Sequence, residues 1–225
     1  YLAMDETSNE ELFSALNNKG NLKKEIYKNT ERAFELINNA AYKISQISPL
    51  RDEHLKIEYN SISPFQSQMF FAGDALIFFM HTDMFEFSRD HDVMRTAYIR
   101  EDKTRSYCGV IHIYNFLSNS FKYNRENDLG YLIGRLFINK NMHYFVEGKK
   151  EVGILYPQFG TFLFDETAAE NLIKSSMLYA INFDLLTPPF DEVKMVTAGA
   201  IMHYAENCRL VIGKRLGFRF QADNE

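Results

Sequence analysis

His81, Thr82 and Asp83 interrupt an apolar run and are the first place in this sequence to look for chemistry. At strand period the imidazole and the carboxylate leave one face about 6.6 Å apart along the chain, so both can address one ligand or one metal ion. Two ligands fall short of a metal site. The plainer alternative is that the strand ends or bends here and both side chains reach water. His112 lies in a second apolar stretch and shares a face with Val110, Tyr114 and Phe116; a lone histidine there is ordinarily a core residue with satisfied nitrogens. If the two strands are neighbours, His81, Asp83, His112 and Asn115 come together, and an imidazole titrating near neutrality can read a ligand or carry a proton. These four are the candidate ligand-binding residues. No catalytic residue, metal ligand or cofactor is assigned.

The remaining motifs carry less. Arg89-Asp90-His91-Asp92 resembles the adjacent His-Asp of metal phosphohydrolases over two residues, but it falls in a loop after a strand and reads as a solvated turn. Arg95, Arg100, Lys103 and Arg105, interleaved with Tyr98 and Tyr107, form the most basic stretch. On a hairpin such groups can track phosphates or stack bases, yet a charged hairpin that resists edge-to-edge pairing is the simpler account. Arg215 to Phe220 matches an RNA-recognition strand at too few positions to use. Gly130 and Gly134 flank an apolar helical pattern and point to a close approach by another element. Phosphate-cradling loops, dinucleotide fingerprints, nucleophile elbows, H-E-x-x-H and C-x-x-C are absent from the sequence.

Composition sets the frame for those side chains. With 46% hydrophobic residues, 20 Phe and 13 Tyr, the 225-residue chain carries enough apolar side chain to order a core, which excludes wholesale disorder. A formal charge of −5 argues against a dedicated nucleic-acid binder. Cys108 and Cys208 stand a hundred positions apart and read as free thiols of a reducing, cytoplasmic compartment, with a single long-range bridge as the alternative. The longest apolar run, Ala75 to Met80, is far short of the ~20 residues of a membrane span. The chain begins at Tyr1 rather than Met, so a longer parent is expected.

The elements that must position these groups follow from patterning. Ser8 to Glu11 forms a capping box for a short helix that Gly20 is placed to end, so residues 1–20 read as a helical extension. A second helix, 22–47, is stopped by Ser48-Pro49 and repeats Ile26, Thr30, Ala33, Ile37, Ala40, Ile44 and Ile47 at heptad spacing. Tyr27, Phe34 and Ala41 widen that stripe toward a core-packed helix. Strands are expected at Leu55 to Tyr59, Asp74 to Phe87 with a break near Thr82, Tyr107 to Leu117, Met142 to Glu147, Glu151 to Tyr156 and Thr161 to Phe164. Tyr98 to Arg105 reads as a hairpin tip. Asn127 to Ile138 reads as a helix on its 3.6 periodicity, with strand as the alternative. A capping box at Thr167 opens another helix, Thr187-Pro188-Pro189 a further one, and strands 209–212 and 216–220 close the chain.

This order gives an α+β fold, a single domain over 1–225 with a mostly antiparallel central sheet, a long N-terminal helix and C-terminal helices packed on it. The architecture is similar to the small-molecule sensor domains of the PAS and GAF type, which implies a ligand pocket against the sheet. The expected function is a non-enzymatic sensory or regulatory domain, a homodimer through the 22–47 helix, with its pocket between the sheet and the 127–138 segment. The alternatives are a hydrolase, with or without a divalent metal, built on His81, Asp83 and His112, and a protein-interaction module. Neither nucleic acid nor a membrane span is expected.

Overall fold

The computed structural model describes residues 2–52, 54–149, 152, 159–183 and 189–199. One helix, α1 (Leu2–Arg51), replaces the two expected from the sequence. Gly20 lowers helix stability by about 1 kcal/mol but stops nothing by itself, and the Ser8 capping box lies inside a helix that has already started. Pro49 sits in the last turn. Its missing amide would have bonded the Ser45 carbonyl, which instead accepts the Ser48 hydroxyl at 3.1 Å.

The heptad residues Ile26, Thr30, Ala33, Ile37 and Ala40 are all buried, together with Phe34 and Ala41. They lie in this chain's own core, as the breadth of the stripe indicates, while Ile47 is 41% exposed. Residues 8–18 of α1 are exposed on every side, so the helix projects beyond the body as an arm carrying Leu12, Phe13 and Leu16. Where it leaves the sheet, the Lys19 ammonium stands 3.5 Å over the Tyr107 ring.

The sheet is antiparallel throughout, in the order β1 (Ile57–Ser63), β2 (Gln66–Phe71), β3 (Asp74–Met80), β5 (Tyr107–Leu117), β6 (Tyr131–Asn139), β7 (Tyr144–Gly148), with the short β4 (Phe85–Glu86) also paired to β5. The α+β class with a mostly antiparallel sheet is therefore the observed one. Strands β3 and β5 are adjacent, with Phe79 opposite His112. β3 ends at Met80 and the chain resumes as β4 at Phe85, which is the expected break. One face of the sheet, with Leu76, Phe78, Met80, Ile111, Ile113 and Leu136, packs under α1 and α4 (Glu166–Ile181).

One further expectation is corrected, and one left between two alternatives is decided. The 98–105 segment is helical, with α2 (Ala97–Glu101) between two 3-10 turns, because Thr96 and Asp102 cap successive starts by accepting from the Ile99 and Thr104 amides. Phe87, Val93, Ile99, Val110, Phe137 and Phe159 form a second apolar cluster with it. The 127–138 segment is mostly β6, a strand between β5 and β7. Its register shifts opposite Ile113 and Tyr114, so Ile133 and Leu136 are both buried three residues apart. A bulge thus counterfeits helical spacing. Gly134 does meet a close neighbour, since a Cβ there would fall 2.8 Å from Val152.

After β5 a short α3 (Ser118–Lys122) turns the chain. α4 starts two residues before the expected box, at Asp165, whose carboxylate accepts from the Ala168 amide. Its Glu170 meets Lys43 of α1 at 2.5 Å. Thr161 to Phe164 contributes a single bridge, Leu163 to His143, and α5 (Phe190–Val193) follows Pro189. The strands expected at 151–156, 209–212 and 216–220 lie outside the described residues, Val152 apart. Among the described residues no helix is long and apolar enough to cross a membrane.

Candidate functional site

The β3–β5 pairing decides which candidate side chains meet. Past the end of β3, the His81 amide still donates to the Val110 carbonyl at 2.9 Å, one step beyond the ladder. That hold lays the His81 ring on the sheet face away from α1, edge-on to Phe79 at 5.1 Å and Phe85 at 5.5 Å. His112 points to the same face from β5. Its Nδ1 lies 3.2 Å from His81 Nε2 and 3.0 Å from the Tyr114 hydroxyl. A neutral ring nitrogen has one lone pair or one proton, so a single site on His112 faces two polar neighbours.

Electrostatics keep this group uncharged. Burial, then the neighbouring His81 and the Arg135 guanidinium, push His112 down to about 4. Arg135 is in register with His112 across β5–β6. It is held by Glu147, whose carboxylate accepts from Nε at 2.7 Å. The result is a half-buried pair of imidazoles with a phenol beside them, flanked by rings that remain partly exposed: Phe79 at 37% and Phe85 at 42%.

The other two candidates are elsewhere. Asp83 is exposed in the link after β3, where strand alternation no longer applies. With His81, Thr82 and Met84 it lines a small cleft of about 50 Å³ facing Lys23, Tyr27 and Thr30 of α1. Asn115 is on the opposite face of β5 from His112, fully buried between Leu76 and Tyr131 in the ladder. Both polar atoms of its carboxamide lack a hydrogen-bond partner among the described residues. His81 and His112 come together; Asn115 does not join them, and Asp83 shares with His81 only the small cleft against α1. Tyr114 was missed as a functional group, although its place two residues from His112 on one strand was the available signal.

Other groups singled out have structural uses. His91 accepts from the Val93 amide to cap a 3-10 turn. Arg105, from the basic stretch, donates to the Tyr98 carbonyl and Glu101 and lies 4.5 Å over the Tyr98 ring. A network the sequence did not suggest joins this segment to β6: the Tyr98 hydroxyl meets His143 Nδ1 at 2.6 Å and accepts from Asn139 at 2.8 Å. α1 ties in through Asn29, which donates to the Asn139 and Lys140 carbonyls. A wider cleft of about 520 Å³ opens beside the β2–β3 turn, lined by Phe70, Phe121, Lys56 and Lys122. Among the described residues no three His, Cys, Asp or Glu side chains are grouped to hold a metal.

Comparison with protein-family models, with curated proteins and with solved structures finds no match to this chain.

Proposed function

We propose that the chain is a single regulatory domain that binds a small ligand on the outer sheet face at His81, His112 and Tyr114. The observation that carries this reading is the convergence of three polar groups, 3.2 and 3.0 Å apart, on the solvent side of the two central strands. The uncharged His112 ring and the Tyr114 phenol offer donors and acceptors without the desolvation cost of a buried charge, and the exposed rings of Phe79 and Phe85 add an apolar rim. The pocket first expected beside the 127–138 segment moves to this face, because that segment is part of the sheet.

The site also has a route to α1. Val110, which accepts the His81 amide, follows Gly109, the residue on which α1 rests through Thr30. A ligand that shifts His81 therefore bears on the strand residue beside the helix contact. Dimerisation is assigned to the projecting arm, since the 22–47 seam is covered in cis. Leu12, Phe13 and Leu16 are far fewer than the 20–30 residues a side of a standard interface, so a weak, concentration-dependent dimer is expected.

Thermal melting against a metabolite library tests the binding claim. A ligand of the native state raises Tm, and the rise should vanish in His112→Phe. Library compounds that shift neither protein, or both equally, would remove this site from consideration.

A further inference from the structure

The same three atoms suit a specific class of ligand. We propose that His81 Nε2, His112 Nδ1 and the Tyr114 hydroxyl oxygen form three corners of a site for a divalent transition-metal ion from the copper–zinc end of the first row; this rests on the ligand-binding reading above and names the ligand. Donor spacing is the first argument. With metal–nitrogen bonds of about 2.1 Å, nitrogens 3.2 Å apart subtend roughly 100° at the metal. The 3.0 Å separation of His112 Nδ1 from the Tyr114 oxygen subtends roughly 91° on the same bond lengths. Both are angles between neighbouring donors in tetrahedral or tetragonal coordination.

Donor chemistry is the second argument. Imidazole is a ligand of copper, zinc and nickel, and it binds the metal through an unprotonated ring nitrogen. Phenol becomes an anionic oxygen ligand when its proton leaves. The absence of a His, Cys, Asp or Glu triad among the described residues is consistent, because the third donor is a tyrosine. The sequence offered His81 and Asp83 as two possible ligands; the fold exchanges the aspartate for His112 and Tyr114. Exposed Phe79 and Phe85 border the site and leave one side open for water or an exogenous ligand.

Binding balances as one M²⁺ entering and one proton leaving. The Tyr114 O–H bond breaks and its proton goes to solvent. The N–H shared between the two imidazoles moves to a ring nitrogen that does not bind the metal, so this rearrangement releases no further proton.

Copper titration of chelator-treated full-length protein tests the proposal. One equivalent of Cu²⁺ should bind with a visible phenolate-to-copper charge-transfer band. Tyr114→Phe should lose the band yet retain weaker binding. His81→Gln and His112→Gln should each weaken binding by more than the roughly 10–100-fold seen when a residue that only orients a ligand is lost. Circular dichroism establishes that each variant is folded, and the half-exposed His81→Gln supplies the result should His112→Gln unfold. Absence of the band, its survival in Tyr114→Phe, or unchanged affinity in a folded His81→Gln would overturn the metal site, the last placing copper on other histidines such as His54 or His91. If copper fails while a metabolite still raises the Tm of the wild type and not of His112→Phe, only the metal assignment falls.

Discussion

Gly109 of β5 lies directly beneath Thr30 of α1: a Cβ at position 109 would stand 1.8 Å from the Thr30 Oγ1 atom and 2.8 Å from its Cβ. Thr30 cannot easily yield, because it is buried and its hydroxyl donates to the Ile26 carbonyl at 2.7 Å. Gly109→Ala should therefore cost about 3 kcal/mol, the upper end for overpacking. Thr30→Ala should recover part of that loss in the double variant, read from urea midpoints as a coupling between the two sites. Independent, additive losses would mean that the helix does not rest on this strand.

Asn115 poses the opposite problem. Its amide is fully buried without a hydrogen-bond partner among the described residues, an arrangement that costs about 1–3 kcal/mol relative to a satisfied group. Asn115→Leu, similar in size, should be neutral or raise stability by about 1 kcal/mol. Asn139→Leu should instead lose about 2–3 kcal/mol, since that side chain donates to Tyr98 and accepts from the Asn141 and His143 amides. Equal losses in the two variants, measured by chemical denaturation, would show that Asn115 has partners of comparable worth.

The contrast between these two asparagines marks how far sequence reading reached. The β-branched run of β5 and the apolar stripe of α1 are read correctly because burial on a sheet face and on a helix face leaves distinct periods. Parity along β5 already separates Asn115 from His112, and grouping them disregarded it. The Asp83 placement failed for another reason: alternation holds only inside a strand, and β3 stops at Met80. β6 carries both a helical and a strand reading in the sequence, because its bulge shifts the apolar spacing from two to three. Meeting of His81 with His112 depends on a strand pairing formed across the intervening 82–106 segment, and no local pattern encodes it.

Acid should loosen the contact between β6 and the 3-10 turn after α2. The Asp102 carboxylate accepts from Lys140 Nζ at 2.7 Å and from the Thr104 hydroxyl at 2.6 Å. Chiefly through the Lys140 bond, its carboxyl is held down at about 2, against an ordinary value of 3.8. The folded state thus binds this proton more weakly than the unfolded chain, so the stability Asp102 adds is fully present above about pH 4 and disappears as pH falls through about 2. Urea midpoints followed from pH 5 to 2 should fall less steeply in Asp102→Asn than in the wild type. Parallel slopes would assign the acid sensitivity to other carboxylates.

Cys108 offers a readout of how tightly the centre of the sheet is closed. Its thiol is 1% exposed, beside β4 and within the apolar cluster that includes Val110 and Phe137. Burial raises its pKa well above the ordinary thiol range, and the thiolate is the species that alkylates. Iodoacetamide followed by peptide mass mapping should therefore leave Cys108 unmodified in native protein, with labelling appearing only at denaturant concentrations that unfold the chain globally. Opening of β4 alone would expose the thiol earlier, because Phe85 is the residue paired to Cys108. Labelling well below the unfolding midpoint would locate the weakest edge of the sheet beside His81, where a ligand on the outer face would have most to stabilise.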